Sequence, residues 1–411
     1  MTGTTSHRPL SAGRLGGRGR VPFPERPVLT APPNLQRSRV AGTRRLRLAA
    51  QPWLGLGGLL LTAVVFVVLA LGTGSAATGL LILGPISTFG LAGVAVIAFW
   101  WNDWPGSRLA APWTGVVDTL LVAAIAVVLT IAGQAVIERP DIGAVFEATP
   151  GPAAPTTFPA TMALAGATFT AMLQLSLVCE RWPLGRLGRF WSGIAALVLS
   201  WVIGAGAYFL FVNISYLPVA ERVAAGLRDP GGPVTRADFG AALIAVGVWQ
   251  AVLFIALRGW PINTITRRSR RLLAGNALVI GLGAGTYAVI HDAAGLSPGT
   301  IGAVCGCVIG AVLVVAMLFE GWPASLLRPA VGRALTLALT AVVALVLYRA
   351  LAAYADGVRW IRAAPEDWIT SASLSFAGAG IILHVGIGLR WPFAATAKRD
   401  PVASGGQAGT T

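Results

Sequence analysis

Three polar side chains stand where a polar side chain is expensive. Gln174, Gln250 and His384 each fall inside a long apolar stretch that ends shortly afterwards in a Trp-Pro pair. At 1.5 Å per helical residue they lie roughly 12, 15 and 10 Å from those Trp residues, near the middle of a bilayer. Polar groups at that depth line a pathway or bond a neighbouring helix. At 100° per residue Gln250 and His384 fall within about 60° of one face, and Gln174 does not share it. A sparse polar lining of a pathway is the functional expectation, and interhelical hydrogen bonding, worth about 1 kcal/mol each, is its rival.

Charged residues add little to that lining. Asp118 is the only carboxylate clearly inside an apolar stretch, about a turn and a half past Trp113. A proton- or sodium-coupled carrier needs buried carboxylates that change charge, so one such residue argues against coupling. Arg349 follows Tyr348 near the end of another stretch. It can snorkel out to the headgroups, or favour anions if it faces a pore. Glu180 and Glu320 both stand two residues before a Trp, and form either ion pairs at the rim or a gate.

Composition removes most enzyme chemistries. Lys398 is the only lysine among 31 basic residues, which excludes a P-loop and any intramembrane Schiff base. His7, His291, His384 and Cys179, Cys305, Cys307 form no HExxH or CxxC framework, and no DxD arrangement is present, so no catalytic residue, metal or cofactor is assigned. Cys305 and Cys307 point about 200° apart on a helix and read as packing residues. An enzyme acting on a lipid-linked substrate would have to draw on Glu138, Arg139 and Asp141, or on Glu366 and Asp367.

The elements that must carry these residues are helices. The chain of 411 residues is 55% hydrophobic and 11% charged, less than half the charge of a soluble domain, and its mean hydropathy is +0.73. Ten apolar segments follow one another: 54–71, 79–101, 115–137, 159–179, 190–212, 239–257, 272–290, 299–319, 332–354 and 370–389. Each is about the length a helix needs to cross a bilayer, and backbone groups in lipid must be satisfied within the segment. The fold class expected is an all-α polytopic membrane protein with ten transmembrane helices over residues 51–393. Small-residue series at Gly302, Gly306 and Gly310, and at Gly281 and Gly285, suit close helix packing.

Both ends of the chain differ from this region. Residues 1–50 are rich in Arg, Gly and Pro without an apolar period, and predict a disordered basic tail; residues 394–411 predict a second one. Sorting basic residues by connection places 24 on the side of the termini and 6 on the other, with Arg349 inside a span. The positive-inside rule then puts both termini in the cytoplasm of a multi-pass inner-membrane protein. The Arg-rich, Lys-poor composition suits a GC-rich bacterial genome. The basic tail and loops, in a chain of net charge +15, would bind anionic lipid headgroups; nucleic acid is not expected.

Trp-Pro recurs as Trp104-Pro105, Trp182-Pro183, Trp260-Pro261, Trp322-Pro323 and Trp391-Pro392, each ending an even-numbered segment. Trp prefers the headgroup belt and Pro cannot extend a helix, so each pair fixes where a helix leaves the membrane. Five pairs in one phase argue for a duplicated two-helix unit, in parallel orientation, that can close into a pseudo-fivefold ring. The count and order resemble the ten-helix, five-hairpin architecture of the tellurite-resistance and slow-anion-channel family. The resemblance is one of helix number and hairpin order, and no residue is carried over from it. The function expected is a channel or uncoupled transporter for a small solute, with a lipid-linked-substrate enzyme or a non-catalytic scaffold as alternatives. Substrate and oligomeric state are not encoded in any recognisable motif.

Overall fold

The computed structural model describes residues 47–110, 112–148, 157–360 and 362–393. The tail expected over 1–50 lies outside the described residues up to position 46, and the tail expected over 394–411 lies wholly outside them.

Nine helices among the described residues are long and apolar enough to cross a bilayer, as in an all-helical multi-pass membrane protein. They are α1 (Trp53–Leu71), α2 (Ala76–Trp100), α3 (Trp113–Ile137), α5 (Arg189–Phe211), α6 (Arg236–Ala256), α7 (Arg268–Ala293), α8 (Pro298–Leu318), α9 (Pro329–Ala355) and α10 (Pro365–Ile387). A shorter apolar helix, α4 (Met162–Val178), stands in the expected fourth segment. It is shorter because the chain leaves helical geometry at Phe158, ahead of Pro159, and a proline removes the amide that would bridge the break. The small amount of strand is a parallel pair, Val212–Asn213 with Val234–Thr235, in the connection from α5 to α6.

The sequence marks many of the helix starts. Ser75, Thr235 and Ser297 accept from the backbone amides of Thr78, Asp238 and Thr300, satisfying amides that the first turn leaves open. Pro298, Pro329 and Pro365 occupy first-turn positions, where a missing N–H costs nothing.

Packing separates even from odd helices. Contacts run from α2 to α4, α6, α8 and α10 and back from α10 to α2. Each odd helix packs on the even helix before it: α3 on α2, α5 on α4, α7 on α6 and α9 on α8, while α1 packs on α10. Burial follows the same division. In the apolar windows of α2 and α8, 78% and 72% of residues are buried, against 33% or less for α1, α3, α5, α7 and α9. The odd helices present Leu60, Val68, Leu120, Val128, Val202, Leu210, Leu273 and Val346 outward. Water would not tolerate so much contiguous apolar surface, whereas lipid does.

The even helices also end alike. Each of α2, α4, α6, α8 and α10 finishes in a π-helical turn, and a cis Trp-Pro peptide follows in all five. The two residues before each Trp have positive φ, between 49° and 84°. The amides of Asp103, Arg181, Gly259, Gly321 and Arg390 close back onto the carbonyls of Ile97, Leu175, Leu253, Val315 and His384. Glycine is the natural residue for such a backbone, and it stands there at Gly259 and Gly321. The same shape is imposed on Glu180-Arg181 and Leu389-Arg390, which have no such preference.

Candidate functional site

A cavity of about 80 Å³ lies between the five even helices and draws its wall from all of them. Its wall repeats in register with the Trp-Pro turns. Five residues before Trp104, Trp182, Trp260 and Trp322 stand Phe99, Leu177, Ile255 and Met317. Nine before all five Trp stand Ala95, Leu173, Ala251, Leu313 and Ile382. Thirteen before them stand Leu91, Phe169, Gly247, Ile309 and Gly378. Steps of four keep side chains on one helical face, so each even helix turns a single stripe toward the cavity.

That wall is apolar. Thr88, Thr170 and Gln250 are its polar members, and no charged residue is among the described residues that line it. Thr88 is already engaged: its hydroxyl lies 2.8 Å from the Gly84 carbonyl and 2.9 Å from Ser375 Oγ. An ion entering such a space would shed hydration with almost nothing to replace it, a cost of many kcal/mol. Apolar constrictions of this kind stop ions by dewetting.

Gln250 belongs to a chain of amides that ties three helices together. Asn276 on α7 donates from Nδ2 to the Leu272 carbonyl at 2.8 Å, and its Oδ1 accepts from Gln174 Nε2 at 2.8 Å. Gln174 Oε1 in turn accepts from Gln250 Nε2 at 2.6 Å, and the same nitrogen donates to the Thr170 carbonyl at 3.1 Å. Backbone carbonyls only accept, so the two ends of this chain fix every amide's orientation. Gln250 Oε1 is left buried without a partner. Gln174 and Gln250 are therefore brought together, and Gln250 alone of the sequence candidates lines the cavity.

The remaining candidates lie elsewhere. His384 is buried on the side of α10 that meets α1. A Cβ at Gly58 would sit 2.9 Å from its Nε2, and neither ring nitrogen has a partner. Asp118, on α3, accepts from the Gly106 amide at 2.8 Å and so fastens the first Trp-Pro turn to the next helix. Arg349 is on the exposed face of α9. Glu180 pairs with Arg271 at 2.6 Å and Arg268 at 3.7 Å. Glu320 pairs with Arg47 at 2.7 Å and Arg390 at 3.2 Å.

Electrostatics outside the spans are set mainly by burial. Burial pushes the Asp103 carboxyl up to about 6, with the Asp118 charge adding to the rise. Burial likewise raises Glu138 to about 8 against the opposing pull of Arg236. Both Glu138 oxygens are buried without a hydrogen-bond partner. Of the other acids considered for lipid-linked chemistry, Asp141 and Asp367 receive the amides of Ala144 and Ala364 at 3.2 and 3.0 Å and act as helix caps. Among the described residues no group of three or more His, Cys, Asp or Glu is placed to hold a metal ion. Cys305 and Cys307 are buried in separate apolar clusters.

No protein family matches this chain, and no curated protein or solved structure does.

Two structurally important residues escape a search for polar groups near mid-bilayer. Asn276 completes the amide chain, and its visible signal is a carboxamide in an apolar helix opposite Gln174. Arg390 is 5% exposed. It donates from Nη1 to the Leu318 carbonyl at 3.0 Å and from Nη2 to the Met317 carbonyl, gripping the end of α8 beneath a cavity-lining residue. Close packing also falls in a different phase on α7. A Cβ at Gly283 would meet Val246 at 2.5 Å, while Gly281 and Gly285 have nothing within 4 Å. The close-packing expectation for Gly281 and Gly285 is thus corrected, because the face of α7 turned to α6 carries Gly275, Val279 and Gly283.

Proposed function

We propose that this protein is a channel or uncoupled transporter for a small solute, whose path runs through the cavity between the five even helices. In this reading the chain crosses the membrane ten times, with α4 as the fourth span. Its five parallel hairpin repeats close a pseudo-fivefold ring, and both termini are cytoplasmic. The register of the cavity wall carries the proposal, since side chains nine and thirteen residues before each of the five Trp share one central space. Duplicated units related by an axis along the membrane normal place a solute path on that axis. The arginine distribution supports the orientation, and the basic connections would hold anionic lipid.

Reconstitution into liposomes tests the proposal. Osmotic reswelling with urea, acetamide and glycerol, and ion flux under an imposed potential, are compared with empty liposomes. Faster entry of at least one solute is expected, and rates equal to empty liposomes across the panel would contradict it. The wholly apolar layers of the wall favour one other reading, a sealed bundle serving as a membrane scaffold. That reading predicts the second outcome.

A further inference from the structure

Among the described residues, Gln250 Oε1 is the one polar atom of a cavity-wall residue that is both buried and without a hydrogen-bond partner, and it defines what would bind there. We infer that the central cavity takes a small, uncharged, largely apolar molecule carrying a hydrogen-bond donor, held by Gln250 Oε1. The inference rests on the axial-path reading only in placing this molecule on the path of the transported solute.

The argument starts from the fixed amide. Gln250 is fully buried, and its nitrogen is held by Gln174 Oε1 and the Thr170 carbonyl. Rotating the amide would lose both bonds and set its oxygen against two acceptors. The free atom is therefore an acceptor and calls for a donor. A buried acceptor without a partner is destabilising, and a bound donor recovers part of that cost. The oxygen has almost no exposed surface, so a ligand reaches it by displacing neighbouring atoms of the cavity wall.

Charge and shape narrow the class further. An anion would meet the negative end of the amide dipole, with no cationic side chain among the described residues of the wall. A cation would exchange its hydration shell for one carbonyl oxygen. Leu173, Leu313 and Ile382, in the layer nine residues before the Trp, give the cavity an apolar wall suited to an apolar body. In the next layer a Cβ at Gly378 would meet Leu313 at 3.5 Å, an ordinary contact, while one at Gly247 would press on Ile309 at 3.2 Å, so Gly378 is the position with room.

Binding of 4-fluorophenol and 1,4-difluorobenzene to the full-length protein in detergent, followed by fluorine NMR, tests this without requiring transport. The two probes match in size and differ in one donor. Wild type should hold 4-fluorophenol about fivefold more tightly, the worth of one net hydrogen bond, and should not hold 4-fluorobenzoate. Gln250→Leu should bind both neutral probes equally, with Gln250→Met, closer in shape, as the substitute if that chain does not fold. Gly378→Leu should weaken both and gives the baseline for partition into detergent. Equal affinity of wild type for the two probes, no binding of either, or a preference that survives in Gln250→Leu or Gln250→Met would overturn the inference. Preferential binding without accelerated solute entry in liposomes would remove the path reading and leave the binding site standing.

Discussion

Arg390 and Glu320 stand 3.2 Å apart where the ends of α10 and α8 meet. Arg390 also serves the carbonyls of Met317 and Leu318, and Glu320 takes Arg47 as a second partner. The guanidinium is almost fully buried, and burial draws its affinity for a proton below that of an ordinary arginine. Removing Arg390 leaves Glu320 with Arg47 alone and takes a buried charged donor away from the Met317 and Leu318 carbonyls, and breaking such a buried charged network is strongly destabilising.

Arg390→Met is therefore expected to lower stability by about 3 kcal/mol, read as a drop in the midpoint of thermal unfolding in detergent. Glu180→Gln breaks the corresponding contacts with Arg268 and Arg271, which are exposed and screened. It should leave that midpoint nearly unchanged. Equal losses in the two variants would contradict the burial argument.

The glycines of α8 and α7 should behave in opposite ways. A Cβ at Gly306 would lie 2.7 Å from Ser373 Oγ on α10, so Gly306→Ala should cost about 1–3 kcal/mol through overpacking. Gly281 faces open space, and Gly281→Ala should be neutral or stabilising by up to about 1 kcal/mol. Unfolding midpoints of the two variants decide the point, and a costly Gly281→Ala would mean that this face of α7 meets a partner.

Glu138 gives a pH dependence with a definite sign. Its carboxyl rises from 4.5 to about 8 in the folded chain, so the folded state favours the protonated form. The resulting stabilisation is complete below about pH 4.5 and fades as pH rises through about 8. Unfolding midpoints of wild type and Glu138→Gln at pH 5, 7 and 9 should therefore diverge. The variant gains on wild type toward pH 9, and a constant difference would show that Glu138 does not titrate in this range.

Asp118 tests whether the carboxylate within α3 is structural. Its Oδ1 receives the Gly106 amide, and its Oδ2 is unpaired. Asp118→Asn keeps an acceptor and should fold and transport like wild type. Asp118→Leu loses the bond and should cost about 1–3 kcal/mol. Solute entry that stops in a well-folded Asp118→Asn protein would reinstate a charge requirement.

Much of the architecture was readable from local signals. Hydropathy marks the long helices because lipid demands apolar length, and Trp104, Trp182, Trp260, Trp322 and Trp391 mark where the even ones stop. Phe158-Pro159 carries the reason α4 begins late. The cavity was harder to see, because its wall is made of Leu, Ile, Ala, Phe and Gly. Hydropathy does not separate Leu173 or Leu313, turned inward, from Leu120 or Val202, turned outward. Of the polar residues at membrane depth, Gln174, Gln250 and His384, Gln250 alone reaches the cavity. Counting back from each Trp in steps of four would have found the wall, since the register lies in the chain. The positive-φ pairs before Trp182 and Trp391 had no local signal, because Glu180-Arg181 and Leu389-Arg390 take their shape from the turn around them.

The central claim is that solute passes through the space between the even helices, and stopped-flow reswelling of proteoliposomes tests it most directly. Three proteins are compared: wild type, Gly378→Leu to fill the cavity layer thirteen residues before the Trp, and Arg349→Ala on the exposed face of α9. Wild type and Arg349→Ala should speed the entry of the same small neutral solute, and Gly378→Leu, folded and inserted equally, should abolish that gain. Entry unchanged by Gly378→Leu, or no gain with wild type for any solute, would contradict the account.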